Sequence, residues 1–203
     1  MPQTKKSDLP LPFIGVRLHE NRTPTGRRTN TPARRAARYF AYGRDKQAEL
    51  EGQQRGEWLG PDGRVQAHDK VTSWAKQEAL GHRYTFEAIL SVPQGQLTPE
   101  QFCRAMQQGG QISDWRLMMH QDTQHCHAHV LFFRDKRLDK ETFLSWQTGV
   151  RTELARLEQQ QLNDQSARQE MELEADQTRG QELAAAPSST QALRSAKGWE
   201  VGL

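Results

Sequence analysis

The sequence predicts an α+β domain in which helices flank an antiparallel β-sheet and a helical extension follows at the carboxyl end. Apolar and polar residues alternate over 84–92, over 115–120 and over 126–130, a period of two that is typical of strands with one buried face. The last two segments are close enough in sequence to form a hairpin. Segments with helical periodicity and cap residues lie between the predicted strands. Strands flanked by helices, with a hairpin at the centre, indicate antiparallel pairing.

The amino-terminal half contains signals for one strand, two helices and a loop. Thr31-Pro32 supplies a cap residue followed by proline at the first helical position. The second helix has an apolar stripe made of Val71, Trp74, Ala75 and Leu80. Glycine, glutamine and charged residues dominate the segment before that helix, and this composition indicates a mobile loop. We therefore expect a strand at 13–18, a helix from about 32 to 44, a mobile loop at 45–64 around Trp58, and a helix at about 67–80.

The carboxyl-terminal half continues with the alternating strand that begins at Tyr84. Thr98-Pro-Glu-Gln101 is a capping-box pattern that opens a helix, and the pair Gly109-Gly110 ends it. After the predicted hairpin a further helix starts beyond Asp139. The whole chain is then divided into a basic arm with a short strand at 1–31, the main domain at 32–150, a helical extension at 151–183 and a disordered tail at 184–203.

Charge is unevenly distributed along the 203 residues, which have a pI near 9.0 and a net charge of +3. Residues 1–46 hold eleven Lys or Arg against three Asp or Glu, whereas the remainder is acidic overall. A basic amino-terminal arm favours a phosphate-backbone partner, although a merely solvated tail has the same composition. The first interpretation is strengthened by three arginines that lead directly into a tyrosine at position 39, namely Arg34, Arg35 and Arg38.

Cysteine content and hydropathy exclude several classes of protein. Cys103 and Cys126 are too few for a disulfide framework, so we expect free thiols. No apolar run approaches the length of a membrane span, and the amino terminus lacks the hydrophobic region of a signal peptide. We therefore expect no membrane insertion and a location in a reducing cytoplasm.

Histidines are concentrated in one segment, where positions 120–129 contain four of the seven. If this segment pairs with the preceding strand across a four-residue turn, His120 lies opposite His127, and Met118 lies opposite His129. A slip of one residue would move every side chain to the wrong face. The opposite, apolar face would then consist of Leu117, Met119, Cys126, Ala128 and Val130.

In this register three imidazoles project from one face, and we predict His120, His127 and His129 as metal ligands. His125 falls in the turn and is expected at the rim of the site. Asp122 is close enough to accept a hydrogen bond from a ligand ring, although capping the turn is an equally ordinary role for it.

Two other interpretations of the histidines remain. The rings could form a polar sheet face held by hydrogen bonds alone, or they could belong to a structural zinc site. Structural zinc is normally bound by four protein ligands that leave no open position, and cysteines are often among them, whereas Cys126 points to the other face. Three imidazoles with open positions are more typical of one catalytic divalent ion that acts on an oxygen substrate. We expect Mg²⁺ or Mn²⁺, and a softer ion is also compatible with this ligand set.

The pattern His-x-Asp-Thr-x-x-x-His-x-His followed by an apolar strand resembles the third motif of plasmid mobilisation relaxases, within the HUH endonuclease superfamily. Upstream, Tyr84-Thr-Phe-Glu-Ala-Ile-Leu-Ser91 before a Pro/Gly turn resembles the second motif of that family. Further upstream, Ala-Ala-Arg-Tyr39-Phe-Ala-Tyr42 resembles the first motif, which carries the nucleophilic tyrosine. The three motifs come in the family's order and span residues from about 30 to 150.

The resemblance implies an HUH-like sheet and metal-dependent nicking and rejoining of one DNA strand through a covalent 5′-phosphotyrosine. Tyr39 is preferred to Tyr42 as the nucleophile because its context matches the family better. His120 would act near the tyrosine proton as well as on the metal, and Ser91 would contact DNA near the scissile site, although it could simply end a strand. We expect phosphate contacts from Arg34, Arg35, Arg38 and Arg44, and base stacking on Tyr42, Trp58 or Trp115.

The implied substrate is single-stranded or locally melted DNA at an origin of transfer in a plasmid or integrative element, inside a bacterial cytoplasm. An accessory DNA-binding protein or a type IV secretion coupling protein is the implied partner. The family's long carboxyl-terminal helicase or primase domain is missing here, which suggests a minimal or truncated relaxase. The alternatives are a rolling-circle replication initiator or single-strand transposase, a non-catalytic DNA-binding module on the same fold, and a metal hydrolase for small phosphoesters.

Overall fold

The computed structural model describes residues 10–120 and 126–185, with side chains as far as residue 179. Within these residues one sheet contains six strands: β1 (Phe13–Glu20), β2 (Trp58–Leu59), β3 (Val65–Gln66), β4 (Tyr84–Ser91), β5 (Trp115–His120) and β6 (His127–Arg134). The same residues form five helices: α1 (Thr31–Tyr42), α2 (Lys46–Glu51), α3 (His68–Gly81), α4 (Pro99–Gly109) and α5 (Lys140–Ala185).

The strands lie in the order β1-β4-β6-β5-β2-β3, and every neighbouring pair is antiparallel. β4 and β6 pair along their full length at the centre of the sheet. The predicted α+β class, with an antiparallel sheet, flanking helices and a long carboxyl-terminal helix, is therefore confirmed. The edge strand β1 pairs with all of β4, so part of the predicted basic arm belongs to the sheet.

Helices cover both faces of the sheet, because alternate residues of its central strands are apolar on each side. On one face, α4 and the beginning of α5 pack on the strands, and the rings of Phe86 and Phe132 stack with centroids 4.8 Å apart. On the other face, α1 and α3 pack against Met118, Leu131 and Phe133. His120 of β5 and His127 and His129 of β6 lie on this second face.

Small side chains allow α1 and α3 to approach each other closely. The buried residues of α3 are Val71, Ala75 and Ala79, at a spacing of four that keeps them on one helix face. Leu80 lies off this face and is 49 % exposed, so its predicted place in the buried stripe is wrong. Trp74 is only half-buried. The facing residues of α1 are mainly alanines, namely Ala33, Ala36, Ala37 and Ala41.

The prediction of a mobile loop at 45–64 is wrong. The Asp45 carboxylate accepts two backbone N–H groups at the start of α2, and Gly52 ends this helix in the left-handed conformation. Trp58 and Leu59 form β2, pair with β5 and are fully buried. The polar composition concealed this structure because burial in the segment is concentrated in three consecutive residues, 58–60.

α5 is anchored to the sheet domain by apolar side chains and by a buried carboxylate. Glu158 accepts hydrogen bonds of 2.7 Å from the backbone N–H groups of Gln94 and Gly95, which follow β4. The chain divides into two compact units after Gln161, later than the predicted start of the helical extension at 151. In the second unit, residues 163–179 of α5 are exposed. Neither α5 nor any other described helix is both long and apolar enough to cross a bilayer.

Trp58→Ala should lower the free energy of unfolding by about 3–5 kcal/mol, because it removes a fully buried indole from the contact between α1, α3 and the sheet. Urea denaturation followed by circular dichroism measures the change. Leu50→Ala, at a position of α2 that is 83 % exposed, is the control and should change stability by less than about 0.5 kcal/mol. Equally small effects of both substitutions would contradict the burial of β2.

Candidate functional site

The β5–β6 hairpin brings the three predicted ligands to one face of the sheet. His120 pairs with His127, and Met118 pairs with His129, so the predicted register is confirmed. The predicted apolar face is confirmed too, because Leu117, Met119, Cys126, Ala128 and Val130 all lie in the cluster under α4 and α5. The predicted turn with Asp122 and His125 lies outside the described residues.

The three imidazoles converge at the end of the hairpin. Ring centroids are 4.8 Å apart for His120 and His129, and 5.1 Å apart for both pairs that involve His127. One ring nitrogen from each histidine lies within 4.8 Å of the other two. His120 is fully buried, whereas His127 and His129 are half-buried. The cluster is therefore closed on the protein side and accessible on the other, as a site that binds both an ion and a substrate requires.

A hydrogen bond to α1 orients the most buried of these rings. His120 Nε2 lies 2.7 Å from the Phe40 carbonyl oxygen, which can only accept, so Nε2 carries the proton. In the neutral ring the lone pair is then on Nδ1, the atom with which His120 could bind a cation. Histidine ligands commonly donate their second N–H to a backbone carbonyl in this way, which fixes both tautomer and ring orientation.

Phe40 also packs its ring against the site, a role that the sequence analysis missed. Its ring stacks on His129 with centroids 4.5 Å apart and lies 6.1 Å from the Trp58 ring. The helical spacing of Phe40 from Ala36 and Ala37 does predict burial of all three on one face of α1. It does not show that this face lies on the histidines, because that contact joins residues about ninety positions apart in sequence.

The two tyrosines of α1 have different surroundings. Tyr39 is 43 % exposed, and its ring lies edge-on to His129 with centroids 6.1 Å apart. Tyr42 is half-buried, contacts the His68 ring edge-on at 5.1 Å and packs against the cluster between α1 and α3. Of the two predicted nucleophiles, Tyr39 is therefore the one that borders the histidine cluster.

An open cleft of about 340 Å³ lies beside α1 and is lined by Arg34, Arg35 and Arg38 together with Thr31, Glu49, His68 and Thr72. Glu49 binds Arg38 through both oxygens, with distances of 2.6 Å to Nε and 2.5 Å to Nη2. This contact lowers the pKa of the Glu49 carboxyl and raises the pKa of Arg38. Part of the positive charge predicted for phosphate contacts is thus already neutralised. Arg44 is exposed beyond α1 and does not line the cleft.

His68, at the wall of this cleft, is held as a neutral ring. Trp58 Nε1–H donates to His68 Nδ1 at 3.1 Å, so the ring proton is on Nε2, which faces the Thr72 hydroxyl at 3.2 Å. Burial lowers the pKa of His68, and nearby carboxylates only partly offset this effect. His68 therefore supports the wall of the cleft without adding positive charge at neutral pH.

Three further predicted contacts can be located. Ser91 pairs with His127 across β4 and β6, and its hydroxyl donates to the Cys126 carbonyl at 3.3 Å. The prediction that Trp58 or Trp115 stacks on bases is wrong, because both indoles are buried in the two cores. Their large apolar surfaces are needed for packing and are not accessible to a ligand.

The donor set of the cluster fits a divalent ion bound by three neutral nitrogens with further positions left open. Thiolate ligation is disfavoured in the described part of the chain. Burial raises the pKa of Cys103 to about 12, and burial also raises the pKa of Cys126, whose Sγ faces the Leu97 carbonyl at 3.4 Å. Both thiols also lie in the opposite core, so the cluster has no cysteine ligand among these residues. No family model, no curated protein and no solved structure matches the chain.

One Mn²⁺ ion per chain should bind to the wild-type protein, as measured by isothermal titration calorimetry. His129→Ala should weaken this binding by more than about tenfold, because it removes one of the three ligands. Loss of a residue that only hydrogen-bonds to a ligand already lowers metal affinity by about tenfold or more. At a free concentration 100 times its dissociation constant, the ion should raise the free energy of unfolding of the wild type by about 2.7 kcal/mol and that of the variant much less. His82→Ala, where the ring lies between Glu78 and Asp135, is the control. Equal Mn²⁺ affinity in all three proteins would exclude the cluster as the binding site.

Proposed function

We propose that this protein is a metal-dependent DNA-nicking transesterase that cuts one strand at a specific site and rejoins it through a covalent 5′-phosphotyrosine. The observation that carries the proposal is the position of Tyr39, an exposed tyrosine that lies edge-on to His129 beside three converging imidazoles. The same helix that carries Tyr39 also supplies three arginines to a basic cleft.

Cleavage of a phosphodiester needs a nucleophile, neutralisation of charge on the phosphate oxygens, and a held strand. A divalent ion bound by His120, His127 and His129 would supply the second requirement at a non-bridging oxygen. The three ligands are neutral imidazoles, so they do not reduce the charge available for this purpose. Because His120 already donates its Nε2 proton to Phe40, we assign it to cation binding and not to transfer of the tyrosine proton.

Tyr39 provides the nucleophile. Its phenolic oxygen attacks the phosphorus, a bond from phosphorus to the tyrosine oxygen forms, and the bond from phosphorus to the 3′ oxygen breaks. The tyrosine proton ends on the released 3′-hydroxyl. One phosphate ester replaces another, so the same hydroxyl can attack the phosphotyrosine and restore the strand.

Basic residues of α1 would hold the DNA strand. Arg34 and Arg35 line the cleft beside α1 and are exposed, which suits contacts with backbone phosphates. We propose single-stranded or locally melted DNA at an origin of transfer as the substrate, on the strength of the three motifs that resemble mobilisation relaxases. Mobilisation of a plasmid or integrative element would be the biological role, and an accessory DNA-binding or type IV secretion coupling protein would be the partner.

Tyr39→Phe should abolish formation of a covalent protein–DNA adduct, because it removes the attacking oxygen and leaves the ring contact with His129. The probe is a labelled single-stranded oligonucleotide library of random sequence, incubated with Mn²⁺ and resolved on a denaturing gel. Tyr42→Phe is the matched control, since it changes the same atom one helical turn away and should leave the adduct measurable. Chelation of the ion before the oligonucleotide is added should prevent adduct formation in every protein.

An adduct that persists in the Tyr39 variant would overturn the assignment of the nucleophile. Loss of the adduct in the Tyr42 variant alone would transfer that role to Tyr42. Salt-sensitive DNA binding by the wild type without any adduct would contradict nicking and support the non-catalytic DNA-binding alternative.

Arg34→Ala should weaken binding of single-stranded DNA and reduce the slope of log affinity against log salt concentration by about 0.7, the value for one phosphate contact. Arg38→Ala should have a smaller effect, because Glu49 already pairs with this guanidinium. Glu49→Ala should instead release Arg38 and make the slope steeper. Fluorescence anisotropy over a KCl series measures all three variants, and an unchanged slope in Arg34→Ala would exclude this cleft as the phosphate track.

A further inference from the structure

A second cleft, of about 300 Å³, opens on the histidine-bearing face of the sheet, between the edge of the sheet and the start of α1. Its walls include His19 from β1, Glu87 from β4, and Thr31 and Arg35 from α1. This volume is at the lower end of the range of small-molecule pockets, about 300–1,000 Å³. The residues of this cleft have no part in the cation site or in the proposed attack by Tyr39.

A half-buried carboxylate, that of Glu87, lines the cleft. Glu87 Oε1 lies 3.0 Å from His19 Nε2. The Glu87 side chain is 20 % exposed, so its carboxylate can be reached from the cleft. Burial raises the pKa of the Glu87 carboxyl, while His19 and Arg17 act in the opposite direction. The cleft therefore presents a carboxylate that can accept a hydrogen bond from a ligand.

The lining favours a ligand that both donates and accepts hydrogen bonds. The negative charge of the Glu87 carboxylate would repel a phosphate, so binding of an isolated anion is disfavoured despite the nearby arginines Arg22 and Arg35. Glu20 also lines the cleft, but its carboxylate is bound by Arg83 at 3.0 Å. A nucleobase edge offers donors and acceptors side by side, and a base carries no charge that the carboxylate would repel.

Two elements, α1 and β4, each extend from the cleft to the proposed reaction site. Thr31, Arg35 and Tyr39 are spaced by four on one exposed side of α1, so the cleft end of this row is about 12 Å from Tyr39. On β4, Glu87 precedes Ser91 by four residues, or about 13 Å, and Ser91 pairs with His127. A DNA strand whose scissile phosphate lies at Tyr39 would pass Arg35 before its neighbouring bases reach the cleft.

We propose that this cleft binds one base of the DNA strand near the scissile phosphate and selects a base with an exocyclic amino group, which donates to Glu87. The inference rests on the proposed function and names a determinant of its sequence specificity. Thymine is the DNA base without such a group, and its one base-edge donor, N3–H, lies between two carbonyl oxygens that would repel the carboxylate. Discrimination against thymine should be about tenfold, as expected for one hydrogen bond to a charged group.

The first test compares binding of labelled oligo(dC), oligo(dA) and oligo(dT) by fluorescence anisotropy, which does not require nicking. The wild type should prefer at least one amino-bearing oligomer to oligo(dT) by about tenfold. Glu87→Gln should reduce this ratio to near one, because an amide both donates and accepts and can pair with any base. Glu78→Gln is the matched control, since this carboxylate also contacts a histidine, His82, but lies outside the cleft.

A chemical change in the probe gives the same test without any variant. Dimethylation of the cytosine N4 atom removes both donors, so the affinity of the wild type for the modified oligo(dC) should fall towards that for oligo(dT). Equal affinity of the wild type for all these oligomers, or an unchanged ratio in a folded Glu87→Gln protein, would overturn the proposal. Circular dichroism establishes that the variant is folded.

Sequencing of the DNA captured in covalent adducts separates this proposal from the proposed function. Thymine should be depleted at one position near the cut for the wild type and for Glu78→Gln, but not for Glu87→Gln. If no adduct forms, nicking fails, and the binding ratios still decide the role of the cleft. If adducts form with identical base profiles in all three proteins, nicking stands and the cleft proposal fails.

Discussion

The hydrogen bond from His120 Nε2 to the Phe40 carbonyl joins the two elements on which the site depends, the β5–β6 hairpin and α1. It is buried, so breaking it would leave a desolvated polar group, at a cost of about 1–3 kcal/mol. The Phe40 ring adds a stack on His129 and a contact with Trp58. Tyr39 immediately precedes Phe40 in α1. The hydrogen bond that orients the most buried imidazole therefore also holds the tyrosine beside the cluster.

The sheet supplies the rigid frame for this arrangement. In the register of the central strands, Ser91, His127 and His120 form one row across β4, β6 and β5, and His129 lies in the next row beside Met118. Apolar cores on both faces oppose a slip of the hairpin, because a shift of one residue would expose one core and bury polar groups in the other. Side chains on strands fixed in this way are held more firmly than side chains on loops.

α1 organises the surface as well as the core. Its alanine face packs on α3, and its exposed side borders two clefts that both include Thr31 and Arg35. One cleft is rich in arginine, although Glu49 neutralises Arg38, and the other is lined by the Glu87 carboxylate. In the function that we propose, the first would hold a phosphate backbone and the second would bind a base, so one helix would position both parts of a nucleotide strand.

The sequence by itself determined the α+β class, the hairpin register and the convergence of His120, His127 and His129, because a period of two across a short turn fixes strand pairing locally. Helix caps such as the Thr98 capping box are local for the same reason. Only the tertiary structure decided that Trp58 is core, that Tyr39 and not Tyr42 borders the cluster, and that Glu87 faces His19. Each of these depends on contacts between elements far apart in the chain, which local periodicity and composition do not encode.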